Sequence, residues 1–169
     1  MRTAEQAREI ALSMLDPHLA LLDSRTEEFE VGWVFCYQSA RFIETGEIAD
    51  SVVGNAPIFV PRNGAPATFI SYHRPTSESM EAFSYCGDAN AQVNPEVEIS
   101  GWLPGALKVS ATQAIRTSSG LGLGTAKELV DQCLSGAVVR VRAPSIENAR
   151  ELVSELGRLH FISKVTYGA

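Results

Sequence analysis

The sequence predicts an α+β fold made of two domains. In the first half, a run of alternating aromatic residues typical of a strand that covers a core lies between segments with helical periodicity. From residue 96 onward, apolar patterns follow one another in the order β-α-α-β-α-β. Between the halves, residues 87–95 contain Gly, Asp, Asn, Gln and Pro and little apolar content. We therefore predict a domain of residues 1–86, a linker of residues 87–95 and a domain of residues 96–169.

The N-terminal domain is predicted to hold an antiparallel sheet with flanking helices. Thr3 and Gln6 fit a capping box, and the apolar spacing that follows predicts a helix over residues 4–15. Residues 29–37 alternate as one strand, with a smaller and more polar opposite face. Its apolar face would carry Phe29, Val31, Trp33, Phe35 and Tyr37.

A long ordered loop is expected after this strand. Turn residues lie at positions 45–46 and 54–57, and the apolar residues 58–60 form the next strand. Asn63-Gly64 reverses the chain into residues 67–71, and a short helix runs from about Pro75 to Tyr85.

The C-terminal domain is predicted to be a three-stranded sheet covered by helices on one face. Its first strand alternates over residues 97–103, and two helices follow, of which Gly120 ends the first and Gly136 the second. A strand over residues 137–141 leads to a helix capped by Ser145 and ended by Gly157. The last strand carries Phe161, Val165 and Tyr167.

Charge is unevenly distributed along the chain. The 169 residues carry a net charge of −6, and residues 1–94 hold 6 basic and 13 acidic residues, whereas residues 95–169 hold 8 and 7. Every lysine lies in the second part. This asymmetry indicates two units with different surfaces and argues against nucleic acid as a partner of the first.

The sequence contains no pattern typical of catalysis, metal binding or cofactor binding. Its cysteines and histidines are scattered, with no Cys-x-x-Cys pair and no Cys-His signature. The glycines of residues 120–124 lie between two helices, where they favour a tight turn over a phosphate-binding loop. No secretory signal or membrane-spanning run is present, so we expect a cytoplasmic, non-enzymatic protein without a membrane partner.

Three motifs of the N-terminal half occur together. They are Gly-Trp-Val-Phe at residues 32–35, Phe-Ile-Glu-Thr-Gly-Glu at residues 42–47 and Gly-Asn-Ala-Pro at residues 54–57. In this combination they resemble the immunity protein 35 family, whose members are small proteins encoded beside bacterial polymorphic toxins, over about residues 1–85. The resemblance implies a protein that binds a cognate toxin and blocks its active site in the producing cell.

Two motifs of the C-terminal half resemble the C-terminal domain of the bacterial ribosomal stalk protein. One begins at Lys108-Val109 and ends at Ile115-Arg116, and the other is Gly-Leu-Gly-Leu-Gly-Thr-Ala-Lys-Glu-Leu-Val at residues 120–130. In that family, basic and apolar side chains of the first two helices recruit translational GTPases. The resemblance therefore implies translation factors as partners, bound by Lys108, Arg116, Leu123 and Lys127.

The predicted toxin-binding residues lie in the long loop of the N-terminal domain. They are Phe42, Glu44, Glu47 and Asp50. An acidic surface here would dock a basic toxin, because complementary fields speed association and disfavour wrong partners. The alternative is that these carboxylates, with those of residues 27–30, form only a solvated face.

Function therefore has two competing predictions. The first is an immunity protein that neutralises a toxin by direct binding. The second is an adaptor whose stalk-like domain binds translation factors or mediates oligomerisation, for which a homodimer is one possibility. We expect no cofactor and no metal in either case.

Overall fold

Residues 1–168 are described by the computed structural model, in which the chain divides into a first unit, Met1–Ala91, and a second that begins at Gln92. The first unit contains two antiparallel sheets with helices, and the second a three-stranded antiparallel sheet with helices. The predicted α+β class is thereby confirmed.

The first unit contains three helices and six strands among its described residues. The helices are α1 (Ala4–Ser13), α2 (Ala40–Thr45) and α3 (Thr76–Cys86). The strands are β1 (Leu19–Leu21), β2 (Glu27–Phe29), β3 (Gly32–Phe35), β4 (Tyr37–Ser39), β5 (Ile58–Pro61) and β6 (Thr68–Phe69). One sheet has the order β2-β3-β5-β6, and β1 pairs with β4 in a second sheet. As predicted, Thr3 and Gln6 form a capping box on α1.

The prediction of one continuous strand over residues 29–37 is wrong. The chain reverses at Glu30–Val31, so that Phe29 of β2 pairs with Gly32 of β3. Gly32 has φ 156°, and a Cβ at this position would lie 2.3 Å from the carbonyl oxygen of Val60. A glycine is required because both the backbone angle and the close approach of β5 exclude a side chain.

The central strands β3 and β5 are buried on both faces, so the predicted polar face does not exist. Trp33, Phe35, Ile58 and Val60 pack with Ala7 and Ala11 of α1. On the opposite face, Val34 and Phe59 pack with Ile70 and with Met80 of α3. Strands covered on both faces are apolar throughout, as the run Ile-Phe-Val of β5 is.

The second unit has the predicted order β-α-α-β-α-β. Its strands are β7 (Gln92–Trp102), β8 (Val139–Arg142) and β9 (Phe161–Gly168), and its helices are α4 (Lys108–Ser119), α5 (Leu123–Leu134) and α6 (Ile146–Arg158). The sheet has the order β8-β7-β9, with both pairs antiparallel. Alternate residues of the strands pack with apolar residues of the three helices, and they include Val97, Ile99, Val139 and Val141. Glu98 faces the other way, 3.0 Å from Arg140 and 3.7 Å from Lys164.

Two boundaries of the second unit differ from the prediction. The strand β7 begins at Gln92, so residues 92–95 of the predicted linker belong to this strand, in which Gln92 and Val93 pair with β9. Leu103 lies beyond the end of β7. The helix α6 runs through Gly157 to Arg158, and His160, not Gly157, adopts a left-handed conformation with φ 66°. The Nδ1 atom of His160 lies 2.9 Å from the carbonyl oxygen of Pro104. This contact joins segments that are distant in sequence, so periodicity cannot predict it.

Candidate functional site

The segment between β4 and β5 is attached to the first unit by side-chain hydrogen bonds. Ser39 caps α2 by accepting from the Phe42 N–H at 3.0 Å, and its hydroxyl donates to the carbonyl oxygen of Asp50. The side-chain amide of Gln38 accepts a hydrogen bond from the N–H of Val52 and donates one to its C=O. Farther along, the Asn55 amide donates to the Tyr37 carbonyl oxygen at 2.5 Å. The predicted loop is ordered in this way, and it contains α2 and a 3₁₀ turn at Ile48–Asp50.

The four predicted residues of this loop lie in different environments. Glu44 and Glu47 are exposed, and neither carboxylate has a partner within residues 1–168. Phe42 is half-buried. Asp50 is also half-buried and lies 2.9 Å from the Arg41 guanidinium, so its charge is compensated inside the loop. Of the four, only the two glutamates present an uncompensated charge to a partner.

Sequence reasoning missed the apolar residues of the same loop. Ile48 and Val53 are exposed to 83% and 88%, and Ile43 of α2 is 46% exposed. Isolated apolar residues at a surface are ordinary, but several within one short loop mark an interaction site. A signal was present in the sequence, since Ile48 and Val53 stand in a polar, turn-rich segment and fit neither a helical nor a strand period.

The exposed surface continues onto the segment after β6. A Cβ on Gly54 would lie 3.6 Å from the Tyr72 hydroxyl oxygen, which places Tyr72 against the residue that follows Val53. Tyr72 is 53% exposed and stacks against His73, with 4.0 Å between the ring centroids. Phe69, also exposed, contacts Tyr37 of β4 in an edge-on arrangement.

The carboxylates of the first unit outnumber its arginines, and most of the arginines are engaged. Its cations are largely engaged: Arg8 pairs with Asp23, Arg41 with Asp50, Arg62 with Glu28 and Arg74 with Glu78, and Arg2 donates to the carbonyl groups of residues 61, 64 and 65. The Arg8 guanidinium also lowers the pKa of the Asp23 carboxyl through a hydrogen bond. Glu44 and Glu47 therefore belong to an excess of carboxylates that arginines do not compensate.

In the second unit, three of the four predicted residues line one groove. Lys108, Leu123 and Lys127 surround it together with Val109, and the groove has a volume of about 790 Å³. Val109 is 82% exposed and Leu123 is 58% exposed. Lys108 forms an ion pair with Asp131, whereas Lys127 has no charged partner among residues 1–168. Arg116 is exposed near the C-terminal end of α4 and is not among the residues that line the groove.

No group of three His, Cys, Asp or Glu side chains placed to hold a metal ion occurs within residues 1–168. Over the same residues, no helix combines the length and the hydropathy that crossing a membrane requires.

The comparison with protein families gives a match within the first unit. Residues 4–84 match the family model described as Immunity protein 35. This match extends from the first residue of α1 into α3, and it confirms the resemblance predicted for the N-terminal half. The resemblance of residues 96–169 to the ribosomal stalk domain stays a prediction.

The chain is also similar to a curated protein. The chain is 26% identical over 68 residues to the uncharacterized protein YrhB of Escherichia coli (strain K12), an alignment that covers 40% of this chain and 72% of that protein. No solved structure matches the chain.

Proposed function

We propose that the chain is a non-enzymatic immunity protein that binds a cognate bacterial toxin in the cytoplasm through its first unit. The observation that carries this proposal is the immunity protein 35 match over residues 4–84, which covers nearly all the helices and strands of that unit. Neutralisation by binding requires an accessible, ordered surface rather than a catalytic centre. The loop that presents Glu44 and Glu47 meets this requirement.

The test is protection of cells that express a toxin. The full chain is expressed in the presence of the toxin domain encoded beside its own gene, and growth and co-purification are measured. We expect growth to be restored and a stable complex to form. An unrelated toxin domain of similar charge is the control for nonspecific binding. Cell death at full expression of the soluble chain, with no complex, would contradict the proposal.

A second candidate function is that of an adaptor, favoured by the groove between α4 and α5. There, Lys108, Leu123 and Lys127 lie around one concave surface with the exposed Val109. The groove carries three apolar side chains and two lysines among polar residues and Glu155, and exposed apolar and basic side chains together are suited to an acidic, amphipathic segment of another protein. Translation factors are the partners that the stalk resemblance implies, and a second copy of the chain is the other possibility.

One pair of substitutions separates the two functions. Val53→Ser and Val109→Ser each remove an exposed valine, one from the first unit and one from the groove. If the chain acts as an immunity protein, only Val53→Ser weakens toxin binding. If it acts as an adaptor, only Val109→Ser weakens salt-sensitive binding to purified elongation factors. Light scattering of both variants and the wild type tests self-association through either surface.

A further inference from the structure

We propose that the first unit docks its toxin through one continuous face with an apolar centre and an acidic margin. This inference rests on the proposed immunity function and identifies the surface and the partner chemistry. The docking face comprises Glu44, Glu47, Ile48, Val53, Phe69 and Tyr72. Its partner is a protein surface in which lysine or arginine side chains surround an apolar recess.

The apolar side chains at the centre of the docking face are unusually exposed to solvent. Val53 and Ile48 are almost fully exposed, and Tyr72 and Phe69 are each exposed by about half. Exposed apolar patches formed by several large side chains mark protein interfaces. Tyrosine is also among the residues that dominate binding energy at interfaces, since it buries a large area with few rotatable bonds.

The structure brings Val53 and Tyr72 of the docking face close together. Val53 lies between two anchored residues. On one side, the Gln38 side chain forms hydrogen bonds with the N–H and C=O groups of Val52. On the other side, Tyr72 lies against Gly54. Phe69 is in β6, three residues before Tyr72. Gly54 has φ 76°, so the chain turns at this position, next to the Tyr72 hydroxyl.

The docking face is also rigid on its loop side. Ser39 and Gln38 hold the loop at Asp50 and Val52, and the 3₁₀ turn at Ile48–Asp50 is closed by backbone hydrogen bonds. An ordered loop loses little conformational entropy when it binds, so more of the contact energy contributes to affinity.

Charge selects a basic partner over a second copy of the chain. In a symmetric dimer formed through this face, each partner would present the same unpaired Glu44 and Glu47. Like charges at one interface oppose association, whereas a cationic margin on the partner would be attracted to both glutamates. The excess of uncompensated carboxylates over the first unit acts in the same direction.

The experiment measures binding kinetics of the full chain with a catalytically inactivated form of the toxin domain encoded beside its gene. We expect Val53→Ser and Tyr72→Ala to raise the dissociation rate by roughly tenfold or more, because they remove the apolar centre. Replacing Glu44 and Glu47 by Gln should lower the association rate by about fivefold at low salt and flatten its dependence on ionic strength. Thermal melts verify that each variant folds.

Matched controls are available elsewhere on the chain. Val138→Ser removes an exposed valine from the second unit outside the groove, and replacing Glu5 and Glu9 by Gln removes two exposed carboxylates from α1. If the docking face is correctly placed, both controls should dissociate at the wild-type rate, and the Glu5 and Glu9 change should slow association much less than the Glu44 and Glu47 change.

The outcomes separate the inference from the function on which it rests. If the wild type neither binds the toxin domain nor protects, the immunity function fails and the docking face with it. If the wild type protects while the docking-face variants bind as tightly as their controls, the docking face is overturned and the immunity function stands. If the wild type is a dimer that Val53→Ser dissociates, the occupant is a second copy and the inference is likewise overturned.

Discussion

The guanidinium group of Arg41 lies 2.9 Å from the carboxylate of Asp50, joining the first turn of α2 to the 3₁₀ turn that follows it. Ser39 makes a second connection between the same two elements, since its hydroxyl donates to the backbone carbonyl of Asp50 and also caps α2. Asp50 is thus a structural residue of the loop, and the order of the docking face depends on its contacts.

Ser39→Ala is expected to destabilise the loop more than Arg41→Ala. The serine change removes a helix cap and a second hydrogen bond and should lower the free energy of unfolding by about 1–2 kcal/mol. The arginine change breaks an exposed ion pair and should cost about 0.5 kcal/mol. Urea unfolding measures both, and hydrogen exchange of residues 47–52 locates the effect. Equal losses in the two variants would contradict the assigned role of Ser39.

The parts of the fold that local patterns determine were predictable from the sequence. The capping box at Thr3 and the cap at Ser145 depend on residues three positions apart, and both occur as expected. The reversal at Glu30–Val31 was not predictable from alternation, because a tight hairpin preserves the period of two while moving Phe29 and Trp33 into different packing clusters.

The candidate site was predictable only in part for a similar reason. Charge patterning predicted Glu44 and Glu47 as binding residues, and both are exposed. It also pointed to Asp50, whose charge is compensated by Arg41, a pairing that depends on the helix and turn between them. The contribution of Tyr72 depends on its contact with Gly54, eighteen positions earlier in the chain, which no local pattern reveals.

Gly32→Ala is expected to destabilise the first unit severely. The added Cβ would lie 2.3 Å from the Val60 carbonyl oxygen, at a backbone angle that only glycine adopts readily. We expect a loss of about 3 kcal/mol or more, measured by urea unfolding. Gly46→Ala is the matched control, because Gly46 also has positive φ but open space around it, and its loss should be about 1 kcal/mol.

Arg74→Lys is expected to loosen the C-terminal end of the first unit. Arg74 is largely buried and donates to the carbonyl groups of Ala89 and Ala91 and to the Ser79 hydroxyl. A lysine cannot reproduce this fork of donors, so a buried carbonyl group loses its partner, at a cost of about 2–3 kcal/mol. Urea unfolding tests this value. Arg158→Lys, at an exposed ion pair, should change stability much less.

The three thiols are expected to react with iodoacetamide in the order Cys86, Cys36, Cys133. Cys86 is exposed, whereas burial, with the Glu27 carboxylate adding to it, raises the pKa of the Cys36 thiol. Burial likewise raises the pKa of Cys133, which lies in the core of the second unit. Because the thiolate is the reacting form and Cys36 is also partly buried, Cys86 should be labelled faster than Cys36 at pH 8, and raising the pH should speed the labelling of Cys36. Peptide mass spectrometry against time measures each rate, and urea should expose Cys133. Rapid labelling of Cys133 in the native chain would contradict its burial in that core.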